Sequence, residues 1–355
     1  MADPATLLLV TILAIGLLLM LVLWVKLHPF LALLITAMFL GIASGMPLEK
    51  VSAAIQNGLG GTLGFVATVV GIGSIFGQIL ETSGGTEAIA KTLIQWFGKK
   101  RAHWSLSIAG FLIAIPVFFD VGFIILVPVV YALAKDTKKS TLYYAIPLLA
   151  GLAVTHTFIP PTLGPVAVAD MLGADLGWVI LVGAIIGLPI TIIAGPLFGT
   201  YIGNRILVSP PPHVTEELAK GDETDEAHPL PSFWIVSSII GIPLLLMVVK
   251  SMIELFIKLG YMHEGTFYEV ASFLGHPFTA LIIATLIAAW LLGTRRGYTR
   301  KELLDISTKA LAPAGMIILI IGSGGAFKQM LIDSGVSDVL AQLISKTQFP
   351  PIILA

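Results

Sequence analysis

The stretch 104-WSLSIAGFLIAIPVFFDVGFIILVPVVYALA-134 is largely apolar and carries one charge, Asp120 near its middle. Basic residues flank it on both sides: Lys99, Lys100 and Arg101 before, Lys135, Lys138 and Lys139 after. Lys and Arg concentrate on the cytoplasmic side of membrane proteins, so both ends of this run ask to be cytoplasmic. A single crossing cannot satisfy that. The run therefore reads as a re-entrant hairpin, two half-helices turning near 118-FFDVGF-123. The alternative is two full spans of about fifteen residues each, thin against a hydrocarbon core of about 30 Å.

The rest of the chain agrees with a membrane setting. Its 355 residues are 56% hydrophobic and 12% charged, where soluble domains carry roughly 25% charge. A net charge of −1 supplies no basic field for nucleic acid. The absence of Cys excludes disulfides, thiolate zinc sites and Cys nucleophiles. Further apolar runs lie at 5–25, 29–45, 62–80, 141–172, 177–207, 233–256, 277–293 and 312–331. The stretches 48–59, 84–98 and 298–310 carry regular Lys or Glu and read as amphipathic surface helices or connectors. With 104–134 anchored inside, the N-terminus is external, and Arg205, Arg295, Arg296, Arg300 and Lys301 all fall in the cytoplasm. An acidic, Pro-rich linker at 208–232 separates a first transmembrane repeat, 1–207, from a second, 233–355.

That division rests on internal similarity. A shift of 251 sets 71-GIGSIFGQILETSGG-85 on 322-GSGGAFKQMLIDSGV-336, and a shift of 248 sets 28-HPFLAL-33 on 276-HPFTAL-281. Run 29–45 leaves the cytoplasm while 277–293 enters it, so the copies read as inverted. Inverted repeats with broken helices meeting near the bilayer centre are the architecture of secondary transporters. The expected fold is an all-α polytopic membrane protein whose second repeat is incomplete, stopping at the equivalent of Trp104.

Three groups of residues carry candidate chemistry. A carboxylate amid a membrane run is costly and functional by default, so Asp120, beside Phe119, reads as an N-cap of the helix Val121–Ala134, as an ion or proton site, or as both. In 155-THTFIPPTLGP-165, Pro160, Pro161 and Pro165 break the helix, which should resume around Val166–Leu172. Broken backbone at that depth survives where it lines a polar cavity. Thr155, His156, Thr157, Thr162 and Gly164 would line it, the resumed helix end favours an anion, and His156 is suited to proton relay. The second copy adds Ser323, Gly324 and Gly325. Lys328 either snorkels to the interface or pairs with a substrate carboxylate. No metal-ligand spacing and no cofactor motif is present. The small-residue stripes Gly195-x3-Gly199-x3-Gly203 and Gly41-x3-Gly45 read as helix packing.

On 59-LGGTLGF-65, 118-FFDVGF-123, 155-THTFIPPTLGP-165 and 322-GSGGAFKQMLIDSG-335, the chain resembles the gluconate:proton symporter (gluconate permease) family of bacterial inner membranes, within the wider ion-transporter superfamily. The resemblance covers essentially the whole chain. It implies uptake of a sugar acid with a coupling cation, a proton by preference over sodium, and a length beyond 355 residues. Where the family pattern reads PPHPGP this chain has 160-PPTLGP-165, with Thr162 and Leu163 replacing His and Pro. Other hydroxy acids and D-serine therefore stand beside gluconate as substrates. The rival classes are a re-entrant-loop channel and an intramembrane enzyme, and the enzyme lacks any HExxH, GxSxG or paired intramembrane Asp. The expected partners are the bilayer, the anion and the cation, with a homo-oligomer left open and no nucleic acid.

Overall fold

The computed structural model describes residues 3–211 and 229–346, with side chains through 342. Most of the 208–232 linker and the end of the chain at 349–355 lie outside the described residues. Helices account for the regular structure, with no strand among the described residues. The protein is a multi-pass membrane protein: among the described residues, seven helices are long and apolar enough to cross a bilayer. Their exposed faces carry Leu, Ile and Trp, as on Ile12, Trp24, Ile185 and Leu245, which suits hydrocarbon and would be costly in water.

In chain order the helices are α1 (Pro4–Leu19), α2 (Pro29–Ala43), α3 (Leu48–Thr82), α4 (Gly85–Phe97), α5 (Ala102–Ile113), α6 (Phe119–Thr137), α7 (Leu142–Phe158), α8 (Leu163–Leu172), α9 (Leu176–Ile192), α10 (Phe198–Gly203), α11 (Phe233–Lys258), α12 (Thr266–Leu274), α13 (Pro277–Ala288), α14 (Arg300–Asp333) and α15 (Val336–Lys346). They form two compact units, residues 1–67 with 315–355, and residues 68–314.

In the first unit, Leu7, Val10 and Ala14 of α1 pack with Ala37 and Leu40 of α2, Val51 and Ala54 of α3, Met330 and Val336. Here α3 and α14 cross closely. A Cβ on Gly58 would lie 2.5 Å from the Gly325 carbonyl, and one on Gly325 would lie 2.1 Å from Thr62 Oγ1. The crossing explains a departure from expectation. Stretches 48–59 and 298–310 are not separate surface helices but the first turns of α3 and α14, of 35 and 34 residues. Glycine lowers helix propensity, yet here it is what allows the packing. Helix α2, read as a span over 29–45, has 15 residues, about 22 Å at 1.5 Å per residue and short of a full hydrocarbon core. Gly41 packs against Met330 as expected, whereas Gly45 turns the chain with φ +80°.

In the second unit, α5 and α7 form the central crossing. A Cβ on Gly110 would meet the Leu148 carbonyl at 2.6 Å, and one on Gly151 the Ser107 carbonyl at 2.2 Å. The Gly195, Gly199 and Gly203 stripe lies on Ala150, Pro147 and Tyr143 of α7. The run 104–134 folds as α5, a turn at 114–118, and α6. Lys99 pairs with Asp136, which brings the two ends of the run together. Other segment ends are joined by hydrogen bonds as well. Thr141 N–H donates to the Val208 carbonyl at 2.8 Å, Arg296 to the Ser83 carbonyl at 2.5 Å, and Tyr298 to the Thr82 carbonyl at 3.0 Å. Lys250 of α11 lies 3.4 Å from Asp175 and 3.3 Å from Glu254.

Candidate functional site

Two chain breaks meet on one face of α3 within the second unit. The first is the turn at 114–118 before α6. The second is 159–162, where α7 ends at Phe158 and α8 starts at Leu163. The break falls at the double proline as expected, but α8 resumes three residues earlier than Val166. Pro165 sits in its first turn, where a missing N–H costs nothing. Gly73 and Gly77, one turn apart, seat both breaks. A Cβ on Gly73 would lie 3.5 Å from the Pro161 ring, and one on Gly77 would lie 2.0 Å from the Pro116 carbonyl. Any side chain at 77 would have to displace backbone.

Between these surfaces lie two adjoining cavities. One is a narrow, partly open cleft of about 20 Å³, room for roughly one water, lined by Ser74 of α3, Pro116 to Phe118 of the turn, and Pro161 to Leu163. The other, about 30 Å³, shares Ser74, Pro116, Val117 and Phe118 and extends along α3 past Gln78 to Glu81.

The first cavity is bounded by two helix N-termini. Phe118 caps α6 with extended backbone, φ −61° and ψ 144°, and Thr162 caps α8 with φ −62° and ψ 152°; neither offers a side-chain cap. Thr162 turns its hydroxyl back to the Ile159 carbonyl at 2.7 Å instead. First-turn N–H groups at both ends lack intrahelical partners and carry the positive end of the helix dipole. Paired N-termini around one cavity favour an anion.

The expected residues fall at different distances from this centre. Thr162 lines the cavity and is buried. Thr155 is fully buried, and its hydroxyl and His156 Nδ1 are buried with no hydrogen-bond partner among the described residues. The His156 ring lies 6.4 Å from that of Phe118, edge to face, which ties the end of α7 to the turn. Thr157 is exposed and donates to the Ala153 carbonyl at 2.7 Å. Gly164 is exposed, with open space where a Cβ would be.

Asp120 does not cap α6. The helix starts earlier, with Gly122 N–H donating to the Phe118 carbonyl at 2.9 Å, so Phe119 and Asp120 are its first two residues. Asp120 is exposed there, its charge set against the positive helix end. Ser323, Gly324, Gly325 and Lys328 belong to the other unit. Ser323 donates to the Ile320 carbonyl at 2.7 Å, Gly325 serves the α3–α14 crossing, and Gly324 faces open space.

Sequence reasoning passed over Gly73, Ser74, Gly77, Gln78 and Glu81 as site residues. Their spacing places all five along one helical face. The span was read as ending at Leu80, which left Glu81 outside it.

The family profile described as GntP family permease matches residues 6–355. The chain belongs to the GntP permease family. It is 42% identical over its whole length to the gluconate permease of Pseudomonas aeruginosa, spanning 77% of that protein. To the low-affinity gluconate transporter of Escherichia coli (strain K12) it is 39% identical over 97% of the chain and 75% of the relative. To the Gnt-II system L-idonate transporter of the same organism it is 37% identical over 96% of the chain and 75% of the relative. Membership makes this permease a transport protein of the bacterial inner membrane rather than an enzyme.

Proposed function

We propose that this permease takes up gluconate or a closely related sugar acid together with a proton. The observation that carries the reading is the cavity flanked by the N-termini of α6 and α8, with the Ser74 and Thr162 hydroxyls on its lining. A sugar acid presents a carboxylate for the N–H groups and hydroxyls for the polar side chains. The relatives support this substrate class, since their names specify gluconate and L-idonate. Thr155, His156 and Thr162 bind the substrate with Phe119, Thr157 and Gly164 at the margins, and Asp120 and His156 couple it to the proton. In this reading the copies 1–207 and 233–355 are inverted repeats, and Ser323, Gly324, Gly325 and Lys328 supply the second copy's share of the path.

The test is uptake of labelled gluconate by proteoliposomes of the complete protein under an imposed pH gradient, inside alkaline. Saturable accumulation that collapses with a protonophore and is competed by L-idonate supports the reading. Non-saturable flux indifferent to the gradient indicates a channel. Competition by D-serine but not by sugar acids would move the substrate class.

A further inference from the structure

Glu81 is the only titratable side chain lining either cavity among the described residues. It is half-buried, and no cation pairs with it among the described residues. Its one hydrogen bond comes from a neutral amide, Gln78 Nε2 donating to Oε2 at 3.0 Å. A carboxylate so placed is spared full desolvation by the amide and the cavity but gains nothing from an opposite charge. It can hold or lose a proton without breaking an ion pair.

The surrounding charges are few and turned elsewhere. The turn at 114–118 brings no ionisable group. On α6, Asp120 precedes the lining residue Val121 and is exposed; on α14, Lys309 precedes Ala310 and is exposed. Beyond the end of α3, Arg296 and Tyr298 engage the carbonyls of Ser83 and Thr82 rather than Glu81.

We propose that Glu81 carries the coupled proton between the substrate cavity and the cytoplasmic end of α3. The proposal rests on the reading of proton-coupled uptake and adds a residue to it. The two cavities share Ser74 and the 116–118 turn, so an anion at the N-termini of α6 and α8 and a charge on Glu81 share one low-dielectric region. Two negative charges there repel. Protonation of Glu81 removes one of them, so proton and substrate each promote the binding of the other. The step is a bare proton transfer: the carboxylate takes a proton from cavity water on loading and returns it to cytoplasmic water on release. No other reactant is needed.

The experiment compares wild-type protein with Glu81→Gln and Glu81→Asp in proteoliposomes, measuring gradient-driven gluconate accumulation, gluconate counterflow and gluconate-induced proton uptake by an entrapped pH dye. If wild type shows no proton-linked gluconate accumulation, the reading of the function fails before Glu81 is tested. If it does, Glu81→Gln is expected to lose accumulation and the dye signal at least tenfold while counterflow stays within twofold and loses its pH dependence, with Glu81→Asp restoring accumulation in part. Glu81→Gln with wild-type accumulation and pH profile would overturn the proposal. So would loss of counterflow in both variants, which would mark Glu81 as structural.

Discussion

The segments 71–85 and 322–336 follow the same local design and end up doing different work. In each, a serine returns its hydroxyl to the carbonyl three residues back, Ser83 to Leu80 at 3.0 Å and Ser334 to Leu331 at 3.2 Å. Each is followed by a left-handed glycine, Gly84 at φ +76° and Gly335 at φ +82°. Each holds a glutamine donating to a carboxylate, Gln78 to Glu81 and Gln329 to Asp333. The histidines paired by the 248-residue shift cap their helices alike, with Nδ1 of His28 and His276 accepting from Phe30 and Phe278 N–H. Of the eight aligned positions that differ between the two segments, one decides what each segment admits. Gly77 is a notch that admits the backbone of Pro116, and its counterpart is Lys328. The first segment receives two chain breaks and borders a cavity, while the second crosses α3 through Gly325. A shared helix template thus becomes a site where a side chain is missing.

Exchanging the notch gives the largest expected effect. Gly77→Lys, which transplants the second segment's residue, should abolish uptake, because even a Cβ at 77 would fall 2.0 Å from the Pro116 carbonyl. Gly77→Ala should lower stability by about 1–3 kcal/mol through overpacking, read as a drop in thermal midpoint in detergent. The converse, Lys328→Gly, should cost only the roughly 1 kcal/mol of a helix-interior glycine in thermal stability. Near-equal losses from Gly77→Ala and Lys328→Gly would break the comparison. Thr162→Val removes the hydroxyl held by Ile159 and presented to the cavity, a loss of about 1 kcal/mol, and should raise KM for gluconate about fivefold with maximal rate little changed.

The smallest effect lies outside both segments, where α9 and α11 are clamped. Burial pushes the Asp175 carboxyl up, but hydrogen bonds from Ser251 and Trp178 N–H, with Lys250 alongside, outweigh it and hold the group below the usual carboxylate range. A carboxyl depressed in the folded state contributes stability above its unfolded pKa and loses it as pH falls through the folded one. The wild-type thermal midpoint should therefore fall below about pH 4 more steeply than that of Asp175→Asn.

Much of this was legible in the chain itself. Apolar run lengths located the helices. Prolines at 160 and 161 marked the α7–α8 break. The helix starts were less legible. Asp120 looked like a cap because Asp favours that position, but the Phe118 backbone takes it and the helix gains two residues. The glycine face of α3 was illegible for a different reason. Gly73 and Gly77 act by what they admit, and only the path of the turn at 114–118 and of Pro161 reveals what that is. Glu81 followed from the same omission, since a carboxylate at the end of an apolar run looks like a boundary until the cavity beside it is seen.

The central claim is that the substrate occupies the cavity where Gly73 and Gly77 seat the two breaks. The chain has no cysteine, so Ser74→Cys, on the lining shared by both cavities, gives a single reporter. Its rate of modification by a small charged thiol reagent should fall at least tenfold in saturating gluconate, while a cysteine at exposed Thr157 changes little. Equal rates at position 74 with and without gluconate, in protein that still transports it, would place the substrate elsewhere and contradict the account.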